Sequence, residues 1–152
     1  MSRIDDTFTE LRAKEQTGLV AYVTAGDPDL TRSALILETL DQAEVDIIEV
    51  GIPFSDPLAD GPVIQRASER ALSAGTTLKS SLEMIETARK RIVCPLVLFT
   101  YVNPVLAMGA EEFMMRSTDA GVDGLLVIDL PIEEAEELRD VAITANIDPI
   151  FL

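Results

Sequence analysis

A parallel α/β fold is what this sequence predicts, on three observations. Five apolar segments recur along its 152 residues: 18–25, 46–52, 95–101, 124–130 and a last one opening at Pro149. They are continuous rather than alternating, with Glu49 the one exception, which marks strands covered on both faces by helices. Helix-like stretches and Pro-bearing connections separate them in units of about 25 to 30 residues, the arithmetic of repeated βα units.

Taken in order, Ile4, Phe8 and Leu11 fall at helical spacing among charged residues and predict a short amphipathic opening helix. The first strand, 18–25, leads through Asp27-Pro28 into a helix over 30–43 with Ala34, Leu37 and Leu40 on one side. The second strand, 46–52, is followed by a Pro-rich connection and by two helices, 62–74 and 78–91. The uncharged run 92–110 is broken by Pro95, Asn103, Pro104 and Gly109, too often for a lipid-spanning helix, and predicts a buried strand followed by a loop. A helix over 110–120, the strand 124–130 and a helix over 132–145 follow. That last helix puts Ile132, Ala135, Leu138 and Val141 on one side, with Glu133 and Glu134 in its first turn, where the helix dipole favours acids. Pro149 then opens a fifth strand. One domain, 1–152, is the expectation. A partial barrel and an open doubly wound sheet both fit, although no G-x-G-x-x-G follows any strand, which weighs against a dinucleotide-binding sheet.

Composition narrows the chemistry. With 27 Asp and Glu against 12 Lys and Arg the net charge is −15, so there is no basic face for a nucleic-acid backbone. There is no His, which removes a Ser–His pair, a His base and His-ligated metal. A lone Cys94 allows no intrachain disulfide. The acidic start, Ser2-Arg-Ile-Asp-Asp6, is unlike a signal or transit peptide, and the expected location is the cytoplasm.

Glu49 is the first candidate catalytic residue. Flanked by Ile47, Ile48, Val50 and Ile52, its carboxyl is expected to be desolvated and its pKa raised, as general acid and base work near neutral pH requires. The alternative is a carboxylate facing solvent from a strand edge. After it comes Gly51-Ile-Pro-Phe-Ser-Asp-Pro-Leu-Ala-Asp-Gly-Pro62, a stiff connection at the C-terminal end of a strand, where parallel barrels build their sites. Asp60 reads either as the side-chain cap of the next helix or as a second carboxyl at the same mouth as Glu49.

The stretch Ile48-Glu-Val-Gly-Ile-Pro-Phe-Ser-Asp-Pro-Leu-Ala-Asp-Gly-Pro-Val-Ile-Gln65 closely resembles the signature of the tryptophan synthase alpha chain family. Ala21-Tyr-Val-Thr-Ala-Gly-Asp-Pro28, Tyr101-Val-Asn-Pro104 and Gly121-Val-Asp-Gly-Leu-Leu-Val-Ile-Asp-Leu-Pro131 extend the resemblance over essentially the whole chain. It implies a (β/α)8 TIM-barrel type of fold, incomplete here: an N-terminal helix and about the first four and a half βα units, against about 250 residues for a full barrel. The C-terminal, phosphate-binding half is not covered.

The resemblance also implies an activity, the retro-aldol cleavage of indole-3-glycerol phosphate to indole and glyceraldehyde 3-phosphate in tryptophan biosynthesis. Glu49 would be its acid/base, and Asp60 would hold the indole N–H. By the same resemblance Tyr22, Ile64, Phe99, Tyr101 and Leu126 line the indole pocket. Ordinary core packing is the alternative for those five. Tyr22 stands where the family is familiar with Phe and adds a hydroxyl. Asp56 and Asp129 match positions that couple loop closure to a pyridoxal-phosphate beta chain, the partner in an alpha2-beta2 type tetramer.

Elimination among aldol mechanisms points the same way. Lys14, Lys79 and Lys90 all fall in polar helical stretches, which disfavours a Schiff base, and the missing His disfavours zinc. Carboxylate proton transfer, with no metal and no cofactor, is what remains. Because four or five strands leave two apolar edges, the chain by itself is expected to cleave little or no substrate. A non-catalytic half-barrel that only docks on a beta chain is the alternative function.

Overall fold

The computed structural model describes residues 2–152. Five parallel strands, β1 (Val20–Thr24), β2 (Ile47–Gly51), β3 (Leu96–Thr100), β4 (Gly124–Val127) and β5 (Asp148–Ile150), lie side by side in chain order. Sequential neighbours joined by helical crossovers are the pattern of a barrel wall rather than of a doubly wound sheet, whose order reverses. β1 and β5 are the two edges, so the wall does not close on itself.

The helices are α1 (Arg3–Ala13), α2 (Leu30–Gln42), α3 (Pro62–Ser73), α4 (Leu78–Arg89), α5 (Val102–Met108), α6 (Ala110–Asp119) and α7 (Glu136–Thr144). Local chemistry starts several of them. The hydroxyl of Ser2 accepts from Asp5 N while the Asp5 carboxylate answers Ser2 N, a reciprocal cap on α1. Asp29 caps α2, and Thr77 with Ser80 caps α4.

Residues of one parity on each strand meet the helices. Ile48, Val50, Leu96 and Leu98 pack there with Leu37, Ile85 and Phe113 in the main core. Each such fully covered side chain contributes roughly 1.5–3 kcal/mol relative to exposure. The other parity forms a second cluster of Ile4, Ile47, Val97 and Leu126, with Phe99, Ile128 and Ile150 against it. That is the concave, inner face of the wall, and α1 reaches under it with Ile4.

Three expectations need correction. The segment after β3 is not a loop but the helix α5. Pro104 sits at its third position, where backbone N–H groups have no intrahelical partner to lose. Asp129 Oδ1 accepts from Val102 N at 2.8 Å and caps it from a different βα connection. The helix expected over 132–145 is divided: a 3₁₀ turn, Ile132–Glu134, precedes α7. The tighter winding changes the phase of the apolar stripe, so Ala135 is buried while Ile132 is left 56% exposed. The strand expected over 124–130 ends at Val127, because Ile128 makes the last bond to β3 and Asp129 turns away to Val102.

Candidate active site

Strand register assembles the site. Tyr22 pairs with Glu49 and Glu49 with Val97, while in the next row up Thr24, Gly51, Phe99 and Leu126 are successive partners. Both rows have the parity of the inner cluster, so Glu49 projects from the middle of the wall into its concavity. β2 lies between β1 and β3, which removes the strand-edge alternative for Glu49.

Glu49 is half-buried, and desolvation pushes its carboxyl above the usual carboxylate range. Asp60 is also half-buried and also raised by desolvation, with the nearby Tyr101 hydroxyl working against the rise. Among the described residues neither carboxylate has an ion-pair partner. Asp60 does not cap α3, contrary to one of its two sequence readings. The cap position is Gly61, with no side-chain bond, and Pro62 at the first helical position needs none.

Aromatic residues frame the two acids. Tyr22 and Phe99 meet edge to face, centroids 5.3 Å apart at 83°. Tyr101, 3% exposed, stacks obliquely on Phe54 at 5.1 Å, and its hydroxyl accepts from Ala59 N at 3.0 Å. It therefore clamps the end of the 53–60 connection beside Asp60, a tethering function that sequence reading as a pocket-lining residue missed. Gln65 holds the same segment from the other side, donating to Asp60 O at 2.8 Å. Leu126 is buried in the inner cluster.

Ile64, on α3, is associated with the group only through Tyr22. Both line a cavity of about 250 Å³ with Thr24, Asp27, Ala67 and Arg70. Arg70 grips Asp27 there through two bonds of 2.8 and 2.7 Å. Glu49, Asp60, Phe99, Tyr101 and Leu126 do not line it.

Asp56 and Asp129 stand outside the concavity. Asp56 is exposed and accepts from Ser55 Oγ at 2.6 Å, whereas Asp129 is committed to the N-terminus of α5. Near Asp56, Leu58 is 95% exposed on a surface hollow lined by Phe54, Pro57 and Leu72. Lys14, Lys79 and Lys90 are all exposed on helices or their ends, away from the acids.

Gly51 shapes the candidate site, and the sequence reading passed over it. A Cβ there would lie 1.9 Å from the Tyr22 hydroxyl, so the bare backbone of β2 is what admits the Tyr22 ring. The available signal was a Gly two residues after Glu49 on the same strand face, where only close approach by another group explains a missing side chain.

Comparison with known proteins places this geometry. The family profile for the tryptophan synthase alpha chain matches residues 8–152. The tryptophan synthase alpha chain of Carboxydothermus hydrogenoformans is 51% identical over 152 residues, covering all of this chain and 57% of that protein. Among solved structures, tryptophan synthase subunit alpha from Legionella pneumophila superposes with a TM-score of 0.90 at 39% identity, over 98% of this chain and 57% of that one. A structure of the tryptophan synthase a2b2 complex from Pyrococcus furiosus matches with a TM-score of 0.85 at 40% identity, over 88% of this chain and 55% of that one. The chain thus spans a little over half the length of the relatives it matches. Its five strands correspond to part of their barrel. Among the described residues no helix is long and apolar enough to cross a membrane.

Proposed function

The chain belongs to the tryptophan synthase alpha chain family, and from that membership we propose that it carries the proton-transfer residues of a retro-aldol lyase acting on indole-3-glycerol phosphate. The observation that carries this reading is a pair of half-buried carboxyls, Glu49 and Asp60, raised by desolvation and without a cation on either.

A neutral Glu49 gives its proton to the indole ring carbon that bears the glycerol chain. The ring becomes cationic at nitrogen, and the Asp60 carboxylate, accepting from the indole N–H, stabilises that charge. Glu49, now a carboxylate, takes the proton of the adjacent glycerol hydroxyl. The carbon–carbon bond breaks, its electrons return to the ring, and indole and glyceraldehyde 3-phosphate leave with Glu49 protonated again. The cycle balances without a metal or cofactor, because the protonated ring is its own electron sink. Raised pKa at Glu49 keeps part of the population protonated closer to neutrality, which is what the first step needs. Tyr22, Phe99, Tyr101 and Leu126 supply the apolar walls for the ring, and Ile64 borders them only through the cavity it shares with Tyr22.

The exposed Leu58 and the hollow beside it favour a docking surface on the 53–60 connection, and a beta chain of the alpha2-beta2 type is the partner that fits the family. Asp56 and Asp129 would register its docking.

Indole release from indole-3-glycerol phosphate, with and without a beta chain, tests both parts. Release that falls at least a hundredfold in Glu49→Gln and in Asp60→Asn is expected. Undiminished release in Glu49→Gln would sink the acid–base reading. Tight association with a beta chain and no release under any condition would favour a half-barrel that only docks.

A further inference from the structure

The Tyr22 hydroxyl has an unusual seat. Its ring crosses from β1 over the bare backbone of Gly51 and is fixed edge-on by Phe99. Among the described residues no backbone or side-chain group makes a hydrogen bond of ordinary length and angle to its oxygen. Its seat over Gly51 lies one row above Glu49 on the same strand face, toward the strand ends from which the 53–60 connection leads to Asp60.

We propose that Tyr22 is a specificity-determining residue: its O–H, poised over Gly51 at the Asp60 end of the concavity, selects indole-type ligands whose six-membered ring carries a hydrogen-bond acceptor over plain indole. This inference rests on the indole reading of the site given above. In that reading Asp60 faces the ring N–H, so a donor at the same end lies along the ring and not beside the cleavable side chain.

The chemistry follows from an unspent donor in a partly apolar pocket. Burial pushes the phenol up to about 12, so it stays protonated and acts as a donor, never as a base. A plain indole ring laid against it takes away its water and returns nothing, at the cost of an unsatisfied polar group. A ring hydroxyl placed to accept restores the bond, and discrimination between the two is the result.

The test is calorimetric titration of the whole chain with indole and with each hydroxyindole bearing its hydroxyl on the six-membered ring, for the natural chain and for Tyr22→Phe. Phe keeps the ring and its contact with Phe99. One hydroxyindole isomer is expected to bind the natural chain more tightly than indole does. In Tyr22→Phe that preference should shrink by roughly three- to tenfold, with indole itself binding more tightly. A preference identical in both proteins for every isomer overturns the inference and leaves the indole reading standing. Failure of indole and every hydroxyindole to bind overturns both. A second measurement needs no variant: the chain has two tyrosines and no tryptophan, so labelled tyrosine rings give a signal for Tyr22 beside one for Tyr101. The preferred isomer should displace the Tyr22 hydroxyl-bearing carbon and indole should not; equal displacement by both counts against the proposal.

Discussion

The two ends of the strand wall treat a carboxylate in opposite ways. At the N-terminal end Asp123, just before β4, accepts from Arg3 at 2.8 Å, from Arg89 at 2.9 Å and from Leu96 N at 2.9 Å. At the C-terminal end Glu49 and Asp60 have no cation, and burial raises both. Coulomb attraction and a backbone donor offset the desolvation of Asp123, so its charge is part of the framework. At the other end desolvation goes uncompensated at Glu49 and is only partly offset at Asp60 by the Tyr101 hydroxyl, which disfavours the charged form of both. In a parallel barrel this division is expected, since the strand C-termini carry the chemistry and the N-termini the stability.

Removing the compensated carboxylate is the largest perturbation that this contrast offers. Asp123→Ala leaves the well-covered guanidinium of Arg89 facing a void, frees Leu96 N, and releases Arg3, which holds α1 under the wall. A loss of about 3–5 kcal/mol is expected, the range for stranding one partner of a buried pair. Urea unfolding measures it. A loss below about 1 kcal/mol would mean that the two ends do not differ as described.

Gly51→Ala probes the site end by shape rather than by charge. The new methyl falls 1.9 Å from the Tyr22 hydroxyl and 2.5 Å from its ring, too close for the ring to stay. Displacing it also breaks its contact with Phe99, and overpacking of this kind costs about 1–3 kcal/mol. Thermal unfolding, read beside the tyrosine spectrum, checks both effects. If Tyr22→Phe, which keeps the ring, matches Gly51→Ala in stability, ring displacement is not the cause.

Much of this arrangement was legible beforehand. Continuous apolar runs gave the strands because both faces of the wall are covered, and the period of βα units gave their parallel order. Glu49 stood out because a charged residue inside such a run has few innocent explanations. What escaped the reading depends on contacts distant in sequence. Asp129 caps α5 across 27 positions, so a helix formed where Asn103-Pro104 looked like a break. Tyr101 binds Ala59 N across 42 positions, and nothing local to either residue announces it. Asp123 passed unremarked although it is the most heavily bonded acid of the strand wall, because its three donors come from α1, α4 and β3.

The smallest effect sharpens the comparison most, since its sign is opposite to that of Asp123. A carboxyl whose folded pKa lies above its unfolded value binds more protons in the native state. Stability therefore falls as pH rises from near 4.5, the ordinary Glu value, through the raised folded value of Glu49. Above that window the charged form is the less favourable one in the fold. Glu49→Gln removes the ionisation while keeping shape and polarity, so it should be more stable than the natural chain at pH 7 and equal to it near pH 3. Half-exposure of Glu49 lets solvent screen the effect, which limits the gain to less than about 1 kcal/mol. Urea titrations at the two pH values decide it. A variant less stable than the natural chain at pH 7 would show that the Glu49 carboxylate is compensated after all, as Asp123 is, and the distinction between the two ends would fail.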